Sequence, residues 1–181
     1  MKKIFKNSSI FVITVELILL AFILNQVETK NEPETSYLIS KNDLLNTKYE
    51  IDYDTVQLKD GYYFDDFGDD WVSTKLEVKI ASIALGDLNG DNIDDAAVVL
   101  WSHYGGSGVF YWLFAMINEK GNLKQTDYIS LGDRVRLNSM TIKERTIILD
   151  IIVHDENDGA CCPSLRKIQK FELIDQLKKI E

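Results

Sequence analysis

The chain has 181 residues, 45% of them apolar and 10% aromatic, and a formal net charge of −9. That length and composition point to one domain with a real core and exclude a disordered chain. The acidic balance, without a basic stripe, repels phosphate backbones and sets nucleic acid aside as a partner.

Lys2, Lys3 and Lys6 precede an apolar run from Ile10 to Leu24. The run is short for a spanning helix, which needs roughly 17–25 residues, and at the upper end for a signal-peptide core. Glu16 inside it would cost about 2.5–3.5 kcal/mol at a bilayer centre. Two readings of residues 1–25 compete, an uncleaved membrane anchor and a cleaved secretory signal. No small-x-small cleavage site follows Leu24, and no Cys stands there to carry a lipid. Either way the basic start stays in the cytoplasm and the rest is exported. The protein is then expected on the outer side of the cytoplasmic membrane, or periplasmic or secreted if the signal is cleaved. Residues 26–37, polar and charged with one proline, read as a linker.

Residues 38–181 are expected to form the exported domain. Ser40 is a cap for a short helix in "KNDLLNTKYEI". "TVQLKDGYYF" reads as a hairpin turning at Asp60-Gly61. "KLEVKIASIAL" alternates at period two, "DDAAVVLWSHY" and the apolar run "VFYWLFAMIN" follow, and "YGGSG" between them is a turn. "LKQTDYISL", "RVRLNSMTI", "TIILDIIVH" and "RKIQKFELI" continue the series, with a hairpin at Lys143 to Arg145 and a charged tail, "DQLKKIE". Short strands with turn signals every eight to twelve residues predict a mainly β fold. The expected form is an antiparallel meander making a sandwich or open barrel, with one short N-terminal helix.

"GDLNGDNIDDAAVVL" interrupts this pattern with acidic and amide residues at alternate positions. Calcium takes six or more oxygen ligands at about 2.3–2.6 Å, with side chains at loop positions 1, 3, 5 and 9 and a carbonyl at 7. Those positions are Asp87, Asn89, Asp91, Asp95 and the Ile93 carbonyl. Asn92 stands at position 6, where the bend needs a left-handed residue. Position 12 is Val98 and not Glu, so the loop is no EF-hand. Alternation puts Asp94 on the solvent side. The plainer alternative is an Asx-rich turn. Calcium here would brace a turn and do no chemistry, since every ligand comes from one loop.

"DLNGDNIDD" resembles the metal loop of FG-GAP-type calcium repeats, D-x-[DN]-x-[DN]-G-x-x-D, with Asn92 in place of the Gly. The order of "GDLNGDNIDDAAVVL", "GGSGVF", "LGDRVRLNSMTI" and "CCPS" over roughly residues 55–175 resembles an uncharacterised family of bacterial envelope proteins, often lipoproteins. That resemblance implies an exported domain and carries no activity.

Cys161 and Cys162 are the only cysteines and are adjacent. Exported cysteines tend to be oxidised, but neighbours lie 3.8 Å apart across a trans peptide, closer than an ordinary disulfide's ~4.4 Å. A vicinal disulfide, two small thiols in a turn, and metal binding with His154 are all open. His103, His154 and Ser107 invite a hydrolase reading, yet the G-x-S-x-G elbow is absent. Tyr62, Tyr63, Phe67 and Trp71 are candidate ligand platforms, and the simpler reading makes them core aromatics. Asp133-Arg134 reads as a local ion pair at a strand start. The combined expectation is an envelope-anchored, calcium-stabilised binding or structural module with an unknown envelope or extracellular ligand. The alternatives are a redox-responsive protein acting through Cys161 and Cys162, and a hydrolase.

Overall fold

A computed structural model describes residues 37–52, 54–68 and 75–181. The expected signal or anchor, the linker up to residue 36, and Trp71 lie outside the described residues.

Ser40 opens helix α1 (Lys41–Leu45) with a capping box: its hydroxyl accepts from the Asp43 amide, and Asp43 accepts from the Ser40 amide. The helix is shorter than "KNDLLNTKYEI". From Lys48 the burial period changes to two, with Tyr49 and Ile51 inward, and strand β1 (Lys48–Ile51) begins. It pairs with β2 (Asp54–Gln57). The expected hairpin across Asp60-Gly61 is therefore only a turn. Both residues are left-handed and a single bridge joins Lys59 to Tyr62. The reason is docking: the Gly61 amide donates to the Leu45 carbonyl, and the Ile80 amide donates to the Gly61 carbonyl. A Cβ on Gly61 would lie 2.7 Å from Leu45 Cδ2.

Two antiparallel meanders follow. The first contains β3 (Tyr62–Asp66), β4 (Lys75–Gly86), β5 (Asp95–His103), β6 (Phe110–Glu119) and β7 (Asn122–Asp133), neighbours in that order. The second contains β8 (Arg136–Lys143), β9 (Thr146–Val153), β10 (Leu165–Leu173) and β11 (Leu177–Lys179). The tail read as loose charge is thus partly a strand. Leu177 is buried, and its amide donates to the Asp127 carboxylate. The chain passes between sheets at Arg134, which is left-handed.

The sheets stay open, not closed into a barrel, and the five-stranded sheet is the middle of three layers. One face packs Val98, Leu100, Phe114 and Met116 against Leu44, Tyr49, Ile51 and Val56. The other packs Ala97, Val99, Leu113 and Ala115 against Ile147, Leu149, Ile151 and Phe171. Burial on both faces explains why β5 and β6 read as apolar runs without alternation.

On the outer face of the second sheet, Arg166 forks onto Asp150 and Asn138 donates to it. Those bonds, Arg166 first, hold the Asp150 carboxyl down at about 2. A depressed folded pKa means that this contribution is present above the ordinary 3.8 and is lost as pH falls through about 2. Arg166→Gln should return the Asp150 pKa toward 3.8, read by NMR titration; a value still near 2 would exclude Arg166 as the cause.

Candidate metal site

The loop 87–94 joins β4 to β5, the central strand of the five-stranded sheet. Leu88 plugs it into the second core, 1% exposed, which leaves the alternate residues to face outward. The Asp87 carboxylate accepts from the Gly90 amide at 2.6 Å and the Asn92 amide at 3.1 Å. Asn89 Oδ1 accepts from the Asp91 amide, and Asp91 Oδ1 accepts from the Ile93 amide. Asn89 Nδ2 donates to Asp91 Oδ2 at 3.0 Å. Asn92 is left-handed at φ 64, as its place in the ladder requires, and Asp94 is exposed.

Burial pushes the Asp87 carboxyl upward, but the amides of Gly90, Asn92, Asp91 and Asn89 outweigh it and hold it below the ordinary value. Asp95 behaves otherwise. It is fully buried, and its oxygens accept from the Leu88 and Asn118 amides, both at 2.9 Å. Burial dominates and raises its pKa; the two amides oppose this, and the charge of Asp91 adds to it. Asn118, itself buried, donates from Nδ2 to the carbonyls of Tyr37 and Asp94 and accepts from the Gly121 amide. The acidic loop, the β6–β7 turn and the start of the described domain therefore share one buried network.

Gly90, left-handed at φ 90, allows a close approach: a Cβ there would lie 3.1 Å from Arg145 Cζ. Arg145 comes from the β8–β9 turn, where Glu144 and Arg145 are both left-handed. A cationic side chain from the second sheet thus lies on the acidic loop of the first.

The donor set suits calcium. It is all oxygen, from carboxylates, one amide and one carbonyl, on a loop already bent at Asn92. Each carboxylate oxygen accepts up to two bonds, so one amide partner leaves a lone pair. Among the described residues, however, no three His, Cys, Asp or Glu side chains converge tightly enough to hold an ion by themselves. The loop as described is closed on its own amides.

The other candidates lie at the opposite end of β5. His103 uses both ring nitrogens within its own loop, Nε2 against the Gly106 carbonyl and Nδ1 against the Gly105 amide. His154 lies beside Asp158, whose carboxyl is held low first by the Asp155 amide and then by the Ser164 hydroxyl. Cys161 and Cys162 are bonded to each other, so neither thiol is free to bind metal with His154. Arg134, read as half of a local ion pair, does more. It pairs with Asp133 and also donates to the carbonyls of Ser107 and Ala160. Nothing in its local sequence marks those partners, which lie about 27 residues away on either side. Of the aromatic candidates, Tyr62 and Phe67 are exposed, with Phe64 beside them, whereas Tyr63 packs on the first core.

The chain matches no family model, and neither the curated proteins nor the solved structures contain a match to it.

Proposed function

We propose that this protein is an exported, calcium-braced β module that binds or builds in the cell envelope. The observation that carries the reading is the run of oxygen donors at Asp87, Asn89, Asp91 and Ile93 on a loop bent left-handed at Asn92, with Asp95 closing it from inside. Export rests on the basic start and apolar run of residues 1–25. Membership in the envelope family rests on the order of its four motifs.

Calcium would act as a brace. Binding to Asp87, Asn89 and Asp91 replaces some of the loop's amide bonds with stronger oxygen–cation contacts and relieves repulsion between Asp91 and Asp95. Through Asp95 and Asn118 the tightened loop holds the Tyr37 carbonyl, where the domain joins its N-terminal segment.

The test is Asp87→Ala. Calcium should stabilise the wild-type protein and leave this variant unmoved, because the variant loses the position-1 carboxylate while Leu88 and Asp95 keep the loop anchored. An equal calcium response in both proteins would remove the loop from consideration.

A further inference from the structure

We propose that the Cys161–Cys162 bond is a thiol-reducible latch, and that its reduction by a dithiol releases the 105–109 loop of the other sheet through Arg134. This goes beyond the calcium reading and does not depend on it.

A disulfide stabilises a fold chiefly by closing a long loop of the unfolded chain. Between adjacent residues, Cα atoms 3.8 Å apart, it closes none. What it constrains is the backbone of residues 161 and 162 alone. Both cysteines are exposed, so an attacking thiol has access. The bond is therefore a poor staple and an accessible chemical site.

Its surroundings convert that local constraint into a longer reach. The carbonyls on either side are both held by arginines, Ala160 by Arg134 Nη1 at 2.6 Å and Pro163 by Arg136 Nη2 at 2.8 Å. The rim of the β9–β10 loop is tied independently, with Asp158 accepting from the Asp155 amide, the Ser164 amide and the Ser164 hydroxyl. A change at the cysteines is thereby confined to residues 159–163. Arg134 carries it outward, because the same guanidinium holds the Ser107 carbonyl. The Arg134 amide also donates to the Val109 carbonyl, and Asp133 accepts from the Val109 amide. Losing the Ala160 anchor leaves the guanidinium on Asp133 and free to turn from Ser107, so the 105–109 loop loses its tie at the Ser107 carbonyl while Asp133 keeps the Val109 amide.

The exchange balances. A thiolate of the dithiol attacks one sulfur, the Cys161–Cys162 bond breaks, and the departing sulfur takes up a proton. The second thiol of the reductant attacks the mixed disulfide. The reductant leaves as a disulfide, and Cys161 and Cys162 each end as a thiol, with two electrons supplied by the dithiol.

Hydrogen exchange of the full-length chain, before and after dithiothreitol, tests this. Reduction should accelerate exchange at 105–109 and at 159–163 by roughly tenfold, with β9 unchanged. Arg134→Gln, kept oxidised, should already exchange fast at 105–109, and reduction should add nothing there. Three outcomes would overturn the latch: alkylation of both cysteines in protein never exposed to reductant, a bond that survives excess dithiothreitol, or faster exchange at 159–163 with 105–109 unmoved. If Arg134→Gln does not fold, the wild-type comparison alone decides.

Discussion

Asp95→Ala is expected to lose about 2–5 kcal/mol of stability, in chelator as well as in calcium. The Asp95 carboxylate is fully buried and is the partner of two amides from different elements, Leu88 in the acidic loop and Asn118 at the end of β6. Alanine leaves both amides without this acceptor, at about 1–3 kcal/mol each. A part is recovered. The folded pKa of Asp95 is raised, so its ionisation opposes folding, a penalty that sets in as pH rises above 3.8 and is complete only above the raised value. Alanine removes that penalty. Asp95→Asn keeps one acceptor oxygen and turns an amide donor toward the second N–H, so it should recover only part of the loss. Denaturant unfolding measures this directly. A loss within roughly 0.5 kcal/mol, the range of an ordinary surface change, would show that the buried carboxylate is not the anchor described here.

Phe114→Ala should remove about 3–5 kcal/mol. Phe114 is fully buried on β6 in the middle layer. Its ring meets Tyr49 edge-on at 5.4 Å and stacks on Tyr128 at 5.3 Å. Tyr49 is fixed in turn by donating to the Leu44 carbonyl, so the cavity cannot close by a simple tyrosine shift. The midpoint of thermal unfolding should fall by on the order of 10 °C for a domain of this size. A loss below about 1.5 kcal/mol would mean that the helix and the β1–β2 pair rearrange to fill the space.

Local pattern made most of the strands legible. β4 alternates from Lys75 to Ser82, the β8–β9 turn falls at Glu144-Arg145 where it was expected, and Asn92 carries the left-handed bend that its place in the ladder required. What the sequence hid was pairing. Asp60-Gly61 has the turn residues of a hairpin, but whether β2 and β3 pair depends on Gly61 docking against Leu45 and Ile80, which no short window contains. The tail "DQLKKIE" has too few apolar residues to announce β11, which is held by the open edge of β10 and by Asp127, 50 residues away. The acidic ladder could be read from spacing alone. The contrast between exposed Asp91 and buried Asp95 could not, because it depends on Asn118. Arg134 was invisible as a hub for the same reason: its partners are carbonyls, which carry no residue-type signal.

On the proposed function, the loop from Asp87 to Asp95 takes calcium, and thermal unfolding of the full-length chain in calcium, magnesium and chelator decides it. Loops of extracellular modules bind at roughly 0.1–1 mM. At about tenfold excess over that value, mass action adds near 1.4 kcal/mol. The predicted result is a midpoint roughly 3–6 °C higher in calcium than in chelator, with magnesium giving no such rise. Coincident unfolding curves in all three solutions would contradict the account and leave "DLNGDNIDD" an Asx-rich turn closed on its own amides.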